Sequence, residues 1–330
     1  MPIGAETAVP NAVSVDCPAK INLHLRIGPP RADGFHPLMS WMTTVGLFDT
    51  LTMQLCGAGV PPAAGETPTP QSLIDLTCDP PIVPNDDRNL VVRMIKAWAQ
   101  RRSDAGQAAV AGIRATLLKR TPAGAGLGGG SSDAACALLA AERLIAGEPP
   151  LTTDQMAEIA ATLGSDIPFF FSAPSAVCTG RGEIVRPIAP PAAKWAVLIL
   201  PPIHMPTPDV YRKFDAMGLG RQKDVETEPD WAAWAKLPAA KLMTMLVNDL
   251  EAPAFAIRPE LEAIRLKAER KSVRPVRMSG SGSSLFTLFG DERTATEVRD
   301  YLRIHLREFG IEEQAVMVVG VGVPIIPSSA

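Results

Sequence analysis

Residues 122 to 135, PAGAGLGGGSSDAA, constrain this chain more than any other stretch. Gly124, Gly126, Gly128, Gly129 and Gly130 run into a serine pair and a run of small residues. Glycine reaches left-handed backbone angles and has no Cβ, so such a loop turns several N–H groups toward one point and admits an anion there. A helix start behind it adds unpaired N–H donors and the positive end of a dipole. So much glycine also suits a flexible linker, but linkers are rarely wedged between a strand and a helix. Here the preceding GIRATLLKR, residues 112–120, alternates Ile113, Ala115 and Leu117 with Arg114 and Thr116 as a half-buried strand does. The run from Asp133 to Ile145 predicts a tightly packable helix, with Ser131 or Ser132 as its cap and Asp133 near the positive dipole end. The unit is strand, anion loop, helix.

Two familiar nucleotide loops fit poorly. A P-loop ends in Gly-Lys-Ser/Thr, and these glycines end in Ser131 with no lysine. Gly124, Gly126 and Gly129 fit G-x-G-x-x-G, but a dinucleotide fold then requires a second strand ending in an acid about twenty residues on. The chain instead continues into a second helix, Thr153 to Leu163, introduced by Thr152 and Gln155 at capping-box spacing and stopped by Gly164.

At 330 residues the chain exceeds the usual size of a single core, so two domains sharing a cleft are expected. Asn89 stands as an N-cap before LVVRMIKAWAQRR, whose apolar residues recur at helical spacing. Residues 57–70 are rich in Pro, Gly and Ala and predict an exposed loop between strands. A Pro-rich stretch, Pro187 to Ala193, precedes the apolar strand Trp195 to Leu200 and predicts domains at 1–190 and 191–330. The second half reads as strand, helices, a strand pair about Arg274 to Phe289, a helix from Glu292 to Glu308 and a last strand at Ala315 to Val323.

The net charge of -3, without a conspicuous Lys/Arg cluster, argues against nucleic acid as a partner. Cys17, Cys56, Cys78, Cys136 and Cys178 are scattered, odd in number and free of C-x-x-C spacing, as for reduced, mostly buried thiols of a cytoplasmic protein. MPIGAETAVPNAV has neither a basic flank nor a long apolar core, so neither a signal peptide nor a membrane span is expected.

Two further segments carry polar groups in suggestive places. In KINLHLRI, Ile21, Leu23, Leu25 and Ile27 alternate with Lys20, Asn22, His24 and Arg26, so Lys20 and Asn22 share a face. Periodicity alone favours an ordinary solvated face for them. In LGSDIP, Asp166 sits in a turn before Pro168, where an aspartate is most often a local cap. His24, His204 and His305 show no metal-ligand spacing and read as structural or surface residues.

The glycine loop closely resembles the central motif of the GHMP kinases, small-molecule kinases that use ATP. PAKINLHLRI, Pro18 to Ile27, and RMSGSGSSLF, Arg277 to Phe286, fall where that family has its first and third motifs. The resemblance spans most of the chain and implies a two-domain α+β fold, with a ribosomal-protein-S5-like N-terminal domain, a ferredoxin-like C-terminal domain and the active site in the cleft. It implies ATP on Pro122, Gly124, Gly126, Leu127, Gly128, Gly129, Gly130, Ser131 and Ser132, with Gly280 and Gly282 approaching from the third motif. The adenine pocket is implied near Asn89, Leu90 and Val91. Lys20 and Asp166 become the catalytic pair, Asp166 orienting the acceptor hydroxyl or taking its proton and Lys20 stabilising charge. Mg²⁺ is expected on the phosphates, with Ser131, Ser132 or Asp133 as possible protein ligands.

RADGFHPL, Arg31 to Leu38, and LGSDIPFF, Leu163 to Phe170, are similar to the branch of the family that phosphorylates a cytidyl diphosphate-linked methylerythritol on the way to isoprenoids. In that branch an aromatic residue stacks on cytosine and the next residue, a histidine, reads the base edge; these are Phe35 and His36 here, and Phe35 lacks the hydroxyl of the usual Tyr. Asn22 is implied at the substrate, Tyr211 as the opposing wall and Thr207 beside it. Asn248, Asp249 and Leu250 read as a helix-ending element. A kinase for another alcohol, such as homoserine or a sugar, and a nucleotide sensor without turnover are the alternatives.

Overall fold

The computed structural model describes residues 12–56, 73–108, 110, 112–145, 150–325 and 327–329, so the loop expected at 57–70 lies outside the described residues. Among the described residues eleven strands form two sheets. The larger contains β1 (Ala12–Ile27), β2 (Leu38–Leu55), β3 (Ile74–Asp79), β4 (Ile113–Leu118), β5 (Ser175–Gly180), β6 (Ile184–Pro187) and β11 (Pro327–Ser329). Its order is β11-β1-β2-β4-β3, while β5 pairs with the first half of β2 and carries β6. The smaller sheet has the order β10-β7-β9-β8, from β7 (Trp195–Ile199), β8 (Arg277–Met278), β9 (Leu285–Phe289) and β10 (Val316–Gly320).

The helices in chain order are α1 (Leu90–Asp104), α2 (Gly129–Leu144), α3 (Thr153–Ala161), α4 (Thr207–Ala216), the short α5 (Gln222–Glu226), α6 (Trp231–Ala235) and α7 (Ala239–Met243), then α8 (Glu251–Ile257), α9 (Pro259–Ser272) and α10 (Glu292–His305). Asn89 caps α1 by accepting the Val91 N–H, and Thr152 and Gln155 form the reciprocal box at α3. The C-terminal strand β11 was not expected; it returns the chain to β1 of the first sheet.

β1 joins three apolar cores. Val13, Val15 and Cys17 pack with α1 and α2, Ala19, Ile21 and Leu23 pack with Trp41 and Trp231, and Leu25 and Ile27 enter the core of the smaller sheet. Lys20, Asn22 and His24 are buried as well, so from Cys17 to Leu25 the strand has no solvated face. Alternation separated its two faces correctly but could not show that a second layer covers the polar one. His24 belongs to that covering: its Nδ1 accepts the Val247 N–H at 3.2 Å, and the rings of Trp231 and Trp234 lie edge-on at 5.7 and 5.4 Å. Burial first, then the Arg26 charge, lowers its pKa to about 4. A neutral imidazole with its proton on Nε2 is the form this contact requires.

Candidate active site

A cleft of about 1100 Å³ brings the three motifs together with the ADGFH segment, the Asp166 turn and α4. The glycine loop forms one wall. Gly124, Gly126 and Gly128 hold φ of 69°, 77° and 66°. Gly128 is itself the N-cap of α2, and its carbonyl accepts the Ser132 N–H at 2.9 Å. The serine cap expected from sequence is therefore wrong. The left-handed glycine starts the helix four residues before Asp133, and the amides of Gly129, Gly130 and Ser131 precede the first intrahelical bond.

The loop's carbonyls are tied back behind it. Leu127 O accepts the Lys20 N–H at 2.8 Å, Ala125 O the Ser284 N–H at 3.2 Å and Gly126 O the Ser279 hydroxyl at 2.9 Å. The Asn22 N–H donates in turn to Ser279 Oγ at 3.2 Å. A Cβ on Gly126 would stand 2.2 Å from Ser279 O, so only glycine admits the third motif this closely. Asn248 secures that motif from behind, donating to Met278 O and Gly280 O at 2.7 and 2.8 Å. Its Oδ1 accepts the Leu250 N–H just before α8, so residues 248–250 begin a helix rather than end one.

Lys20 Nζ donates to Asn22 Oδ1 at 2.5 Å and lies 3.3 Å from Asp166 Oδ2. Asn22 is oriented by its amide donating to Ser40 Oγ, whose hydroxyl donates to His24 O, each at 2.9 Å. Lys20 is buried while a third of the Asp166 side chain stays open to the cleft, with relative exposures of 4% and 34%. The solvated-face reading of Lys20 and Asn22 fails for that reason. The Asp166 turn closes with the Ile167 N–H on Gly164 O and runs into a 3-10 turn at Pro168–Phe171.

On the same cleft wall Phe35 is 51% exposed. His36 lies 5.3 Å from the Tyr211 ring, but its Nδ1 meets Gly28 O at 2.9 Å and its Nε2 meets Asp215 Oδ1 at 3.2 Å. Both ring nitrogens are thus engaged within the protein, whereas the sequence implies an imidazole free to read a base. Burial first, then the Asp166 charge, pushes the Tyr211 phenol well above its ordinary value. Thr207 and Ser281 share a hydroxyl contact of 2.8 Å across the cleft floor. Pro122, Asn89, Leu90, Ser131 and Gly280 line the same cleft. Val91 is buried in the core, Ser132 is fully buried, and Gly282 lies off the cleft wall.

A buried ionic cluster beneath the loop is absent from the sequence expectations. Lys119 Nζ donates to Asp49 Oδ2 at 2.5 Å and Asp133 Oδ2 at 2.7 Å. Asp49 Oδ1 also accepts the Arg120 and Thr121 N–H groups, which ties the strand end to the start of the loop. Burial raises Asp133 to about 7 even against the pull of Lys119. Lys119 loses hydration too, yet the two carboxylates carry its pKa above the ordinary value. Asp133 Oδ1, Ser132 Oγ and Thr121 Oγ1 have no hydrogen-bond partner among the described residues.

Comparison with known proteins agrees with the motif order. The pattern of the GHMP kinases N terminal domain matches residues 89–173, and that of the GHMP kinases C terminal region matches 235–308. A 4-diphosphocytidyl-2-C-methyl-D-erythritol kinase of Protochlamydia amoebophila is 39% identical over 82% of this chain and 82% of its own length. One from Desulfotalea psychrophila is 31% identical over 96% of this chain and 98% of its own length. A crystal structure of 4-(cytidine 5'-diphospho)-2C-methyl-D-erythritol kinase superposes with a TM-score of 0.69 at 31% identity, covering 94% of this chain and 99% of that one. The homoserine kinase of Cytophaga hutchinsonii shares the fold, with a TM-score of 0.65 at 14% identity over 99% of both chains. With two thirds of the chain and more aligned at such identity, the protein belongs to the GHMP kinases, in the family of the 4-diphosphocytidyl-2-C-methyl-D-erythritol kinases.

Proposed function

We propose that this kinase transfers the γ-phosphate of ATP to the 2-hydroxyl of 4-diphosphocytidyl-2-C-methyl-D-erythritol, giving the 2-phosphate and ADP in the non-mevalonate route to isoprenoid precursors. The observation that carries this reading is the Lys20–Asp166 pair at 3.3 Å beside the glycine loop, in a cleft that Phe35, His36 and Tyr211 also line. Phosphoryl transfer needs little covalent help from the protein; it needs the acceptor in line and positive charge around the transferring group. Asp166 holds the acceptor hydroxyl and takes its proton, and Lys20, steadied by Asn22, offsets the charge that develops. The amides of Gly129, Gly130 and Ser131 receive the triphosphate, and Asn89 and Leu90 flank the adenine.

Mg²⁺ suits the donors present if phosphate oxygens and water supply most of its shell, since the ion dehydrates reluctantly. Ser131 on the cleft wall and the unpartnered Asp133 Oδ1 would hold it, and it would supply neutralising charge to the phosphate oxygens. The ATP-binding domain is residues 1–190 and the second domain 191–330. Cys17, Cys56, Cys78, Cys136 and Cys178 are all free thiols, in keeping with a reducing cytoplasm. No helix among the described residues is long and apolar enough to cross a membrane.

The test is phosphorus NMR of the purified protein with ATP, Mg²⁺ and the cytidyl substrate, with homoserine as the control acceptor. A new phosphomonoester signal is expected with the cytidyl substrate alone. A signal with homoserine and none with the cytidyl compound would overturn the reading.

A further inference from the structure

Resting on that reading of the substrate, a further residue for its recognition emerges from the turn between β5 and β6. Gly180 and Gly182, with φ of 73° and 118°, flank Arg181. The Arg181 N–H donates to Glu183 Oε2 at 2.6 Å and the Gly182 N–H to Thr179 O at 3.0 Å, so the turn is a built one. It lies against both Phe35 and Asp166. The Arg181 guanidinium carbon lies 4.8 Å from the centroid of the Phe35 ring, while a Cβ on Gly182 would stand 3.5 Å from Asp166 Oδ1.

A substrate with its base on Phe35 and its hydroxyl at Asp166 must run its two phosphates between those residues, past Arg181. The two lysines of the cleft wall are buried and committed, and of the arginines Arg181 is the one set against the Phe35 ring. Lys20 holds Asn22 and Asp166, and Lys119 is buried between Asp49 and Asp133. Arg88 and Arg212 reach out to solvent, each 77% exposed, and pair with Asp86 at 2.8 Å and Asp209 at 2.5 Å within their own segments. Among the described residues Arg181 has Glu183, 3.7 Å from its Nε, as its ion-pair partner, and its side chain is 40% exposed. A guanidinium over an exposed ring is weakly held, whereas its planar fork forms short, charge-assisted pairs with phosphate oxygens.

We propose that Arg181 is the diphosphate-recognising residue of the substrate site. In the free enzyme it covers the face of Phe35; when cytosine stacks there, the guanidinium moves off the ring and pairs with the diphosphate. Arg181 thus makes the enzyme prefer a cytidine carrying two phosphates over the bare nucleoside.

The test is calorimetric titration of the whole protein with cytidine and with CDP, the ATP site filled by a non-hydrolysable ATP analogue. CDP is expected to bind the wild type about tenfold or more tighter than cytidine, as one or two charge-assisted pairs provide. Arg181→Gln is expected to remove most of that advantage by weakening CDP, while cytidine, with no guanidinium to displace from Phe35, binds no more weakly than to the wild type; Arg181→Lys is expected to restore part of the advantage. In steady-state assays Arg181→Gln raises KM for the cytidyl substrate and leaves kcat and KM for ATP near wild type. An unchanged CDP-to-cytidine ratio in Arg181→Gln would overturn the role of Arg181 while the cytidyl reading stands. Failure of cytidine itself to bind the wild type would overturn both.

Discussion

Two lysine–carboxylate sets flank the same glycine loop, and they are built differently. Lys119 lies between Asp49 and Asp133 with all three side chains buried, and Asp49 additionally takes two backbone N–H groups of the loop's first residues. Lys20 has one carboxylate, Asp166, at the longer distance of 3.3 Å and with a third of that side chain open. The closed cluster fixes strand end, loop start and helix α2 to one another, and leaves only Asp133 Oδ1 for the metal. The open pair leaves carboxylate surface for a substrate hydroxyl. Burial and the number of anchors, rather than residue type, separate scaffold from chemistry here.

Breaking the open pair is expected to act on rate. Asp166→Asn lowers kcat about 10²–10⁴-fold, the usual contribution of a positioned general base, while its urea unfolding midpoint stays at the wild-type value. A large loss of stability in that variant would erase the distinction between the two sets. Breaking the closed cluster is expected to act on stability. Lys119→Ala leaves Asp49 and Asp133 buried without their cation and costs about 3–5 kcal/mol in urea unfolding.

A substitution between the two sets sharpens the contrast. Gly128 has φ of 66°, and a Cβ there would lie 2.9 Å from Lys20 Cγ. Gly128→Ala is expected to cost about 1–3 kcal/mol in unfolding and to raise KM for ATP more than KM for the alcohol. The smallest effect is a pH dependence. Asp133 has a folded-state pKa of about 7, raised first by burial. A raised carboxyl contributes stability that is fully present below the unfolded value and is lost as pH climbs through the folded one. Compared with Asp133→Asn, the wild type is therefore expected to lose stability from about pH 4 to pH 7 and to run parallel above that. Equilibrium unfolding of both proteins across this range checks the sign.

The sequence revealed what is local. The glycine loop, the Asn89 cap and the Thr152–Gln155 box each lie within a few residues of chain, and Lys20 and Asp166 stood out because their segments match motifs. It hid what closes across distance. Asp49 meets Lys119 across 70 residues, Asn248 meets Gly280 across 32, and His24 accepts from Val247 across 223. No periodicity marks such partners. The serine cap failed for a different reason: a glycine that reaches the left-handed region starts the helix earlier than a side-chain cap does. Arg181 escaped notice because a single arginine between two glycines reads as an ordinary turn until the fold sets it against Phe35.

The most direct test of the division between scaffold and chemistry is the turnover of Lys20→Met at saturating ATP and cytidyl substrate, on protein whose unfolding midpoint matches the wild type. If Lys20 offsets the charge of the transferring phosphoryl group, turnover falls by about 10²-fold or more. Turnover within a few-fold of wild type would contradict the account, and would make Lys20 a second piece of scaffold.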